Sequence, residues 1–544
     1  MSAVSFLRVG ALVLFSVAAG VPFRPGLAGP EPVYPPGVEI PGPNKLAGFD
    51  YCETVTILMQ FPDNRADTLE HSPARFDSML YSTGVYSGLP YRQGSLNDFF
   101  LENSYGNYDV RGGVAGGRWF LSQYNYSRYY DGNYMLSTGG QLARENVQQV
   151  DAVVDFRQLD LNQDGHIDAM FMVHAGADGA DNGNVNCCWS HAIPYFNYTT
   201  NDGVVIDGVT NVPEFAMVTE ARETTLCCIA VMCHELGHLV GLPDLYQGGR
   251  TQWGVGYWGL MGYGAWGAGG NTPWSPSHME AWSKVQAGFV TPTVVTSNLY
   301  DVRIPPVETE PVVYKVWRGG ANHDTCFYLE NRQRKGFDTP LPGPGLAIWH
   351  IDPSRSAAYD RVDMEEDSTF HLDHGNGVRP DPHVYHQELG DTSDVLPGNW
   401  NRVAFDSSTV PSSRDRNNLS TGVCVRNIRQ VADTILCDVI IRPESVAVEQ
   451  PCPELVLQPG VELRPNPARA GVVRLDFVGS VPSWRDVPVR VDVFSVTGRR
   501  AFNAEFAVRS DSFLLDLGRL LPGVYLVRVA SSCVHASARL VVCR

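Results

Sequence analysis

No stretch of this chain constrains its fold as tightly as Cys233-His234-Glu235-Leu236-Gly237-His238-Leu239-Val240-Gly241-Leu242-Pro243-Asp244. At about 3.6 residues per turn, a helix carries His234 and His238 one turn apart on one face, where two imidazoles converge on a small cation. Glu235 is rotated by roughly 100° from His234. It flanks the cation site without being a ligand, which is where a general base for a metal-bound water is needed. Gly241 accepts the positive φ that ends a helix, and Pro243 cannot continue one. The chain must turn there, and Asp244 comes back as a candidate third ligand. Three protein ligands with an open fourth position are the arrangement of a catalytic zinc.

A lone HExxH pattern also falls on ordinary amphipathic helices, so a second signal is needed. Tyr257-Trp258-Gly259-Leu260-Met261-Gly262-Tyr263-Gly264 supplies it, for it resembles the methionine-bearing turn beneath the metal in metzincins. Glu280 is the rival third ligand, since another class of HExxH enzymes takes a Glu from a later helix. Its spacing from His238 is longer than that class usually shows. Glu220 and Glu223, just before the helix, are read as solvated carboxylates rather than as supports of the site.

The rest of the chain says what surrounds that helix. At 544 residues it is too long for one core, and about two to four domains are expected. A net charge of -18 excludes a nucleic-acid surface, because nothing offers a basic stripe to phosphates. Arg8 and the apolar run Val9–Ala19 read as an export signal within residues 1–28, too short for a membrane span. No later stretch is long and apolar enough to cross a bilayer, so a secreted or surface-attached protein is expected. Twelve cysteines in an exported chain predict disulfide bonds. Cys424 with Cys437 and Cys533 with Cys543 flank expected hairpins, and the vicinal pairs Cys187-Cys188 and Cys227-Cys228 are candidates to bridge each other or Cys233.

Residues 29–48 are Pro- and Gly-rich, a linker or short pro-segment. The β-branched run Thr54–Phe61 opens an expected catalytic domain, 49–290. Within it, Ser95 and Asp98 form a capping-box signature before the apolar stripe Leu96, Phe99 and Phe100. Asp160-Leu161-Asn162-Gln163-Asp164-Gly165-His166-Ile167-Asp168 places side-chain oxygens at alternate positions with Gly sixth. Asp160, Asn162, Asp164 and Asp168 are therefore read as calcium ligands, against the alternative of a solvated acidic turn. Phe171 holds the twelfth position, so the loop is not a complete EF-hand. Alternating strands over 291–443 predict a β-rich subdomain, 444–460 a linker, and 461–544 a small β-sandwich. The fold class expected is α+β.

Two families are resembled. From about Thr54 to Pro443, the stretches Gly94–Phe100, Ser104–Gly106, Asp164–Asp168, Val173–Gly176, Leu242–Tyr246, Tyr328–Gln333 and Gly345–Asp352 are similar to the immune inhibitor A family of secreted bacterial metallopeptidases. That resemblance implies a metzincin-like zinc endopeptidase acting on proteins or peptides and steadied by calcium. It implies zinc on His234 and His238, Glu235 as base, and Asp244 and Met261 at the third-ligand and Met-turn positions. Tyr263 matches the tyrosine that reaches the metal in astacin- and serralysin-like metzincins, with simple packing as the alternative. Arg464–Pro467, Val493–Arg499 and Leu521–Leu526 resemble a type IX secretion sorting domain. This second resemblance implies a β-sandwich recognised by the type IX secretion machinery.

Overall fold

The computed structural model describes residues 50–441 except 87–92, 136, 178–183, 189–190, 193–196, 208–215, 223–224, 227, 247–253, 268–271 and 367–388. Beyond these it describes 460–464, 468–469, 472–478, 488–495, 500–507, 512–516, 520–530 and 535–543. The export signal, the Pro/Gly segment, most of the 444–460 linker, Glu223, Cys227 and Cys533 lie outside the described residues. The chain divides into two compact units, Met1–Val446 and Ala447–Arg544. The architecture is mixed α+β, with several sheets.

In the first unit, strand β1 (Tyr51–Gln60) runs through the middle of a sheet. It pairs in parallel with β2 (Asp109–Leu121) on one side and β3 (Phe171–Ala177) on the other. Ala216–Arg222 adds a fourth parallel strand beside β3, and His191–Ala192 an antiparallel edge. Ile57, Leu58 and Met59 are consecutive and wholly buried, so β1 packs on both faces. That is why apolar residues follow one another without alternation from Ile57 to Met59. Parallel neighbours need crossovers. Helices α1 (Pro73–Tyr81) and α2 (Leu96–Asn103) lie between β1 and β2, and α3 (Gly139–Val150) between β2 and β3. The capping box of α2 forms: Asp98 N donates to Ser95 Oγ, and Ser95 N to Asp98 Oδ2, both at 2.9 Å.

After residue 290 the unit turns to antiparallel sheet. The wholly buried strands Cys326–Arg332 and Gly345–Ile351 lie side by side in one sheet, and Thr434–Ile441 is flanked by Val423–Val431 and Leu299–Ile304 in another. The second unit holds a three-stranded sheet around Val472–Val478 and a five-stranded one containing Gly523–Ala530. No helix among the described residues is long and apolar enough to cross a membrane.

The expected disulfide bonds are overturned where they can be described: Cys52, Cys187, Cys188, Cys228, Cys233, Cys326, Cys424 and Cys437 form none. The Cys533–Cys543 pairing reaches outside the described residues. Cys424 and Cys437 do lie on adjacent strands of a hairpin, but out of register. Cys424 faces Ile440, three residues along from Cys437, and the pairing is interrupted by a bulge. Three residues of strand span about 10 Å, beyond the roughly 7 Å that a disulfide tolerates between Cα atoms. Cys437 faces Val302 instead, and burial pushes its thiol up to about 12.

Candidate metal centre

Helix α4 (Ile229–Leu239) carries both histidines. The largely apolar run Thr225–Val240 predicts a longer helix, but Thr225–Leu226 folds back as a strand on Ala216–Arg222. Its C-terminus closes as the sequence demands. Gly241 takes φ +93°, its amide donates to His238 O at 2.9 Å, and the amide of Leu242 reaches Gly237 O at 3.0 Å. These two bonds are a Schellman motif, which satisfies the last helical carbonyls and turns the chain through Pro243 to Asp244. The next amide, of Leu245, donates to Met261 O at 2.9 Å, so the returning chain is fastened to the methionine turn.

The turn in its place fastens the helix. Nδ1 of His234 lies 3.0 Å from Leu260 O, and Nδ1 of His238 lies 2.8 Å from Leu242 O. A carbonyl only accepts, so each Nδ1 carries the hydrogen and each neutral ring keeps its Nε2 lone pair. Both Nε2 atoms face Asp244 Oδ1, at 3.0 Å from His234 and 3.5 Å from His238. His234, His238 and Asp244 offer one donor atom each, all within 4.8 Å of one another. Two imidazole lone pairs and a partly exposed carboxylate form a donor set that suits a divalent transition metal.

The electrostatics follow from that crowding. Burial disfavours a charged His238, yet the Asp244 carboxylate outweighs burial and lifts the imidazole to about 9. Burial likewise opposes ionised Asp244, but the two histidines hold its carboxyl well below the usual range. Glu235 is 6% exposed and follows His234 directly on α4.

Spacing alone did not reveal the role of Gly237. A Cβ there would lie 2.5 Å from Met261 Sδ, so the absent side chain is what lets the methionine turn pack against the helix. A small residue between the two histidines was the available signal. Tyr263 stacks edge-on against Tyr246 with centroids 5.4 Å apart, and Tyr246 lies 6.2 Å from the His234 ring.

Glu280 does not join this group. The spacing of Ser275–Gln286, opened by Pro276, predicts a helix, but the helix begins only at α5 (Ala281–Gln286), because tertiary bonds claim the preceding amides. His278 N donates to Asp338 Oδ1 and Met279 N to Asn103 Oδ1, both at 2.9 Å. Glu280 caps α5 through the amide of Ser283 at 2.9 Å. In the acidic loop, Asp160 accepts the amides of Asp164 and Gly165 at 3.0 Å, and Asp164 that of His166 at 2.9 Å. Asn162 accepts from Asp164 N at 2.9 Å, and the buried Asp168 takes Leu161 N at 2.6 Å. Among the described residues, only the His234 group brings three such carboxylate, thiol or imidazole donors within reach of one ion.

Residues 53–290 match the family described as immune inhibitor A peptidase M6, catalytic domain. Over these residues, less than half of the chain, the sequence is similar to that metallopeptidase family. The pre-pro-metalloprotease PrtV of Vibrio cholerae serotype O1, from strains M66-2 and ATCC 39315 / El Tor Inaba N16961, is 27% identical. The similarity covers 38% of this chain and 27% of that protein, so the chain matches only about a quarter of the relative's length. His234, His238 and Asp244 all fall inside the matched segment, and Ala447–Arg544 falls outside it.

Proposed function

We propose that the protein is a secreted zinc-dependent endopeptidase of metzincin type that hydrolyses peptide bonds of extracellular proteins. Its ligands are His234, His238 and Asp244. The observation that supports this most is the pair of Nδ1-to-carbonyl bonds, which turn both Nε2 atoms toward Asp244. Zinc bound there supplies Lewis acidity toward water and the scissile carbonyl. Glu235, one residue from His234, takes the proton of the attacking water and hands it to the leaving amine. Tyr263 donates its hydroxyl to the developing oxyanion. For Asp160, Asn162, Asp164 and Asp168 the support for a structural calcium is the alternation of oxygens in the sequence alone. The loop carboxylates accept the loop's own amides and do not converge as the His234 group does.

In this reading 49–290 is the catalytic domain, 291–443 its β-rich subdomain, and 461–544 a sandwich addressed to the type IX secretion machinery. Its support is the similarity in Arg464–Pro467, Val493–Arg499 and Leu521–Leu526. The test is digestion of casein by the purified chain. Chelator should abolish cleavage and added zinc restore it. Cleavage that persists in chelator, or at the wild-type rate in folded, zinc-loaded Glu235→Ala, refutes the mechanism.

A further inference from the structure

The turn that carries Met261 is gripped by residues far beyond the matched domain. Arg332 closes the buried strand Cys326–Arg332 and is itself wholly buried. Its Nη1 donates to the carbonyl oxygen of Trp258 at 2.6 Å. Its other nitrogens meet Asp338 Oδ2, at 2.7 Å from Nη2 and 3.0 Å from Nε. Glu330 Oε1 lies 3.4 Å from Nη1, and Glu308 Oε1 3.8 Å from Nε. Asp394 accepts the indole N–H of the same tryptophan at 2.8 Å. Beside it, Tyr257 N donates to Leu389 O at 2.7 Å. Gly390 packs so closely that a Cβ there would lie 2.7 Å from the indole nitrogen.

Trp258 is thus pinned at both its carbonyl and its ring. Two residues on, Leu260 O holds Nδ1 of His234, and the next residue, Met261, lies against Gly237. A buried guanidinium among carboxylates is a poor device for stability alone, since apolar residues of equal volume often serve as well or better. What a guanidinium offers is a rigid, directional fork. One branch of this fork ends on the carbonyl of Trp258.

We propose that Arg332 and Asp394 are positioning residues of the metal centre, fixing Trp258 and, through the short run to Leu260 and Met261, the orientation of His234. The working catalytic unit therefore extends past residue 290 to at least Asp394. This inference rests on the zinc reading above.

The experiment uses the full chain with Arg332→Lys, Arg332→Gln and Trp258→Phe. Zinc affinity is measured by competition with a chromogenic chelator, fold by near-UV circular dichroism, and kcat and KM on a quenched peptide. Folded variants should bind zinc about 10–100-fold more weakly. At saturating zinc, kcat should fall while KM stays unchanged. Lysine should recover part of what glutamine loses, because it keeps the charge that faces Asp338. If the arginine variants unfold, Trp258→Phe decides, since it retains a ring in the packed site while removing the bond to Asp394. Wild-type zinc affinity in the folded variants overturns the inference. A wild-type chain that binds no zinc sinks the metal centre itself, a separate and distinguishable failure.

Discussion

His234 and His238 are each given a backbone carbonyl at Nδ1, so their tautomers are set by main chain and not by a mobile side chain. The proposed mechanism assigns proton transfer to Glu235, the residue after His234 on the same helix. Glu235→Gln, which keeps the shape and removes the base, should cost about 10²–10⁴-fold in kcat with zinc content unchanged. Metal analysis beside peptide hydrolysis checks this. The metal-free protein should also show the His238–Asp244 pairing in its pH dependence. His238 is raised from its ordinary 6.5 to about 9, so its contribution is complete below pH 6.5 and disappears as pH rises through 9. Melting temperature in chelator should therefore fall between those values, and a flat profile would contradict the pairing. Gly237→Ala should lose about 1–3 kcal/mol by forcing Met261 aside, read from denaturant unfolding.

At the level of elements, the turn after α4 depends on Gly241 at φ +93°. An alanine there must enter the left-handed region at a cost of about 1–2 kcal/mol. Gly241→Ala should lower the melting temperature and weaken zinc binding together, because Asp244 follows three residues later. Much of this element was legible beforehand: histidine spacing, glycine and proline specify a helix with a stop, and the capping box of α2 formed as read. What was not legible depends on partners distant in sequence. Residues Ser275–Glu280 have helical spacing, but Asp338 and Asn103 take their amides, and no local pattern announces either. The Cys424–Cys437 hairpin was legible as two strands; its register was not. A bulge decides which residues face each other, and two cysteines flanking a turn say nothing of where a bulge falls.

For the molecule as a whole, the mixed α+β class was readable from apolar runs that give way to alternating strands. The tie between the methionine turn and the β-rich region was not. Arg332 looks like a surface residue at the polar end of the strand Cys326–Arg332 until Glu330, Asp338 and Glu308 gather around it. The division into Met1–Val446 and Ala447–Arg544 predicts a calorimetric signature. Zinc at a thousand times its dissociation constant should stabilise the first unit by about 4 kcal/mol and leave the transition of the second unmoved. A single transition shifted as one by zinc would show that the units unfold together.

The bonds to Trp258 also bear on timing. The bond from Arg332 closes over 74 residues and the bond to Asp394 over 136, both reaching forward along the chain from Trp258. A chain that emerges from its N-terminus delivers both histidines and Asp244 long before it delivers the groups that brace them. The bracing of the metal site is thus deferred until nearly the whole first unit has appeared. A half-made molecule meets its neighbours with the His234 cluster still unbraced.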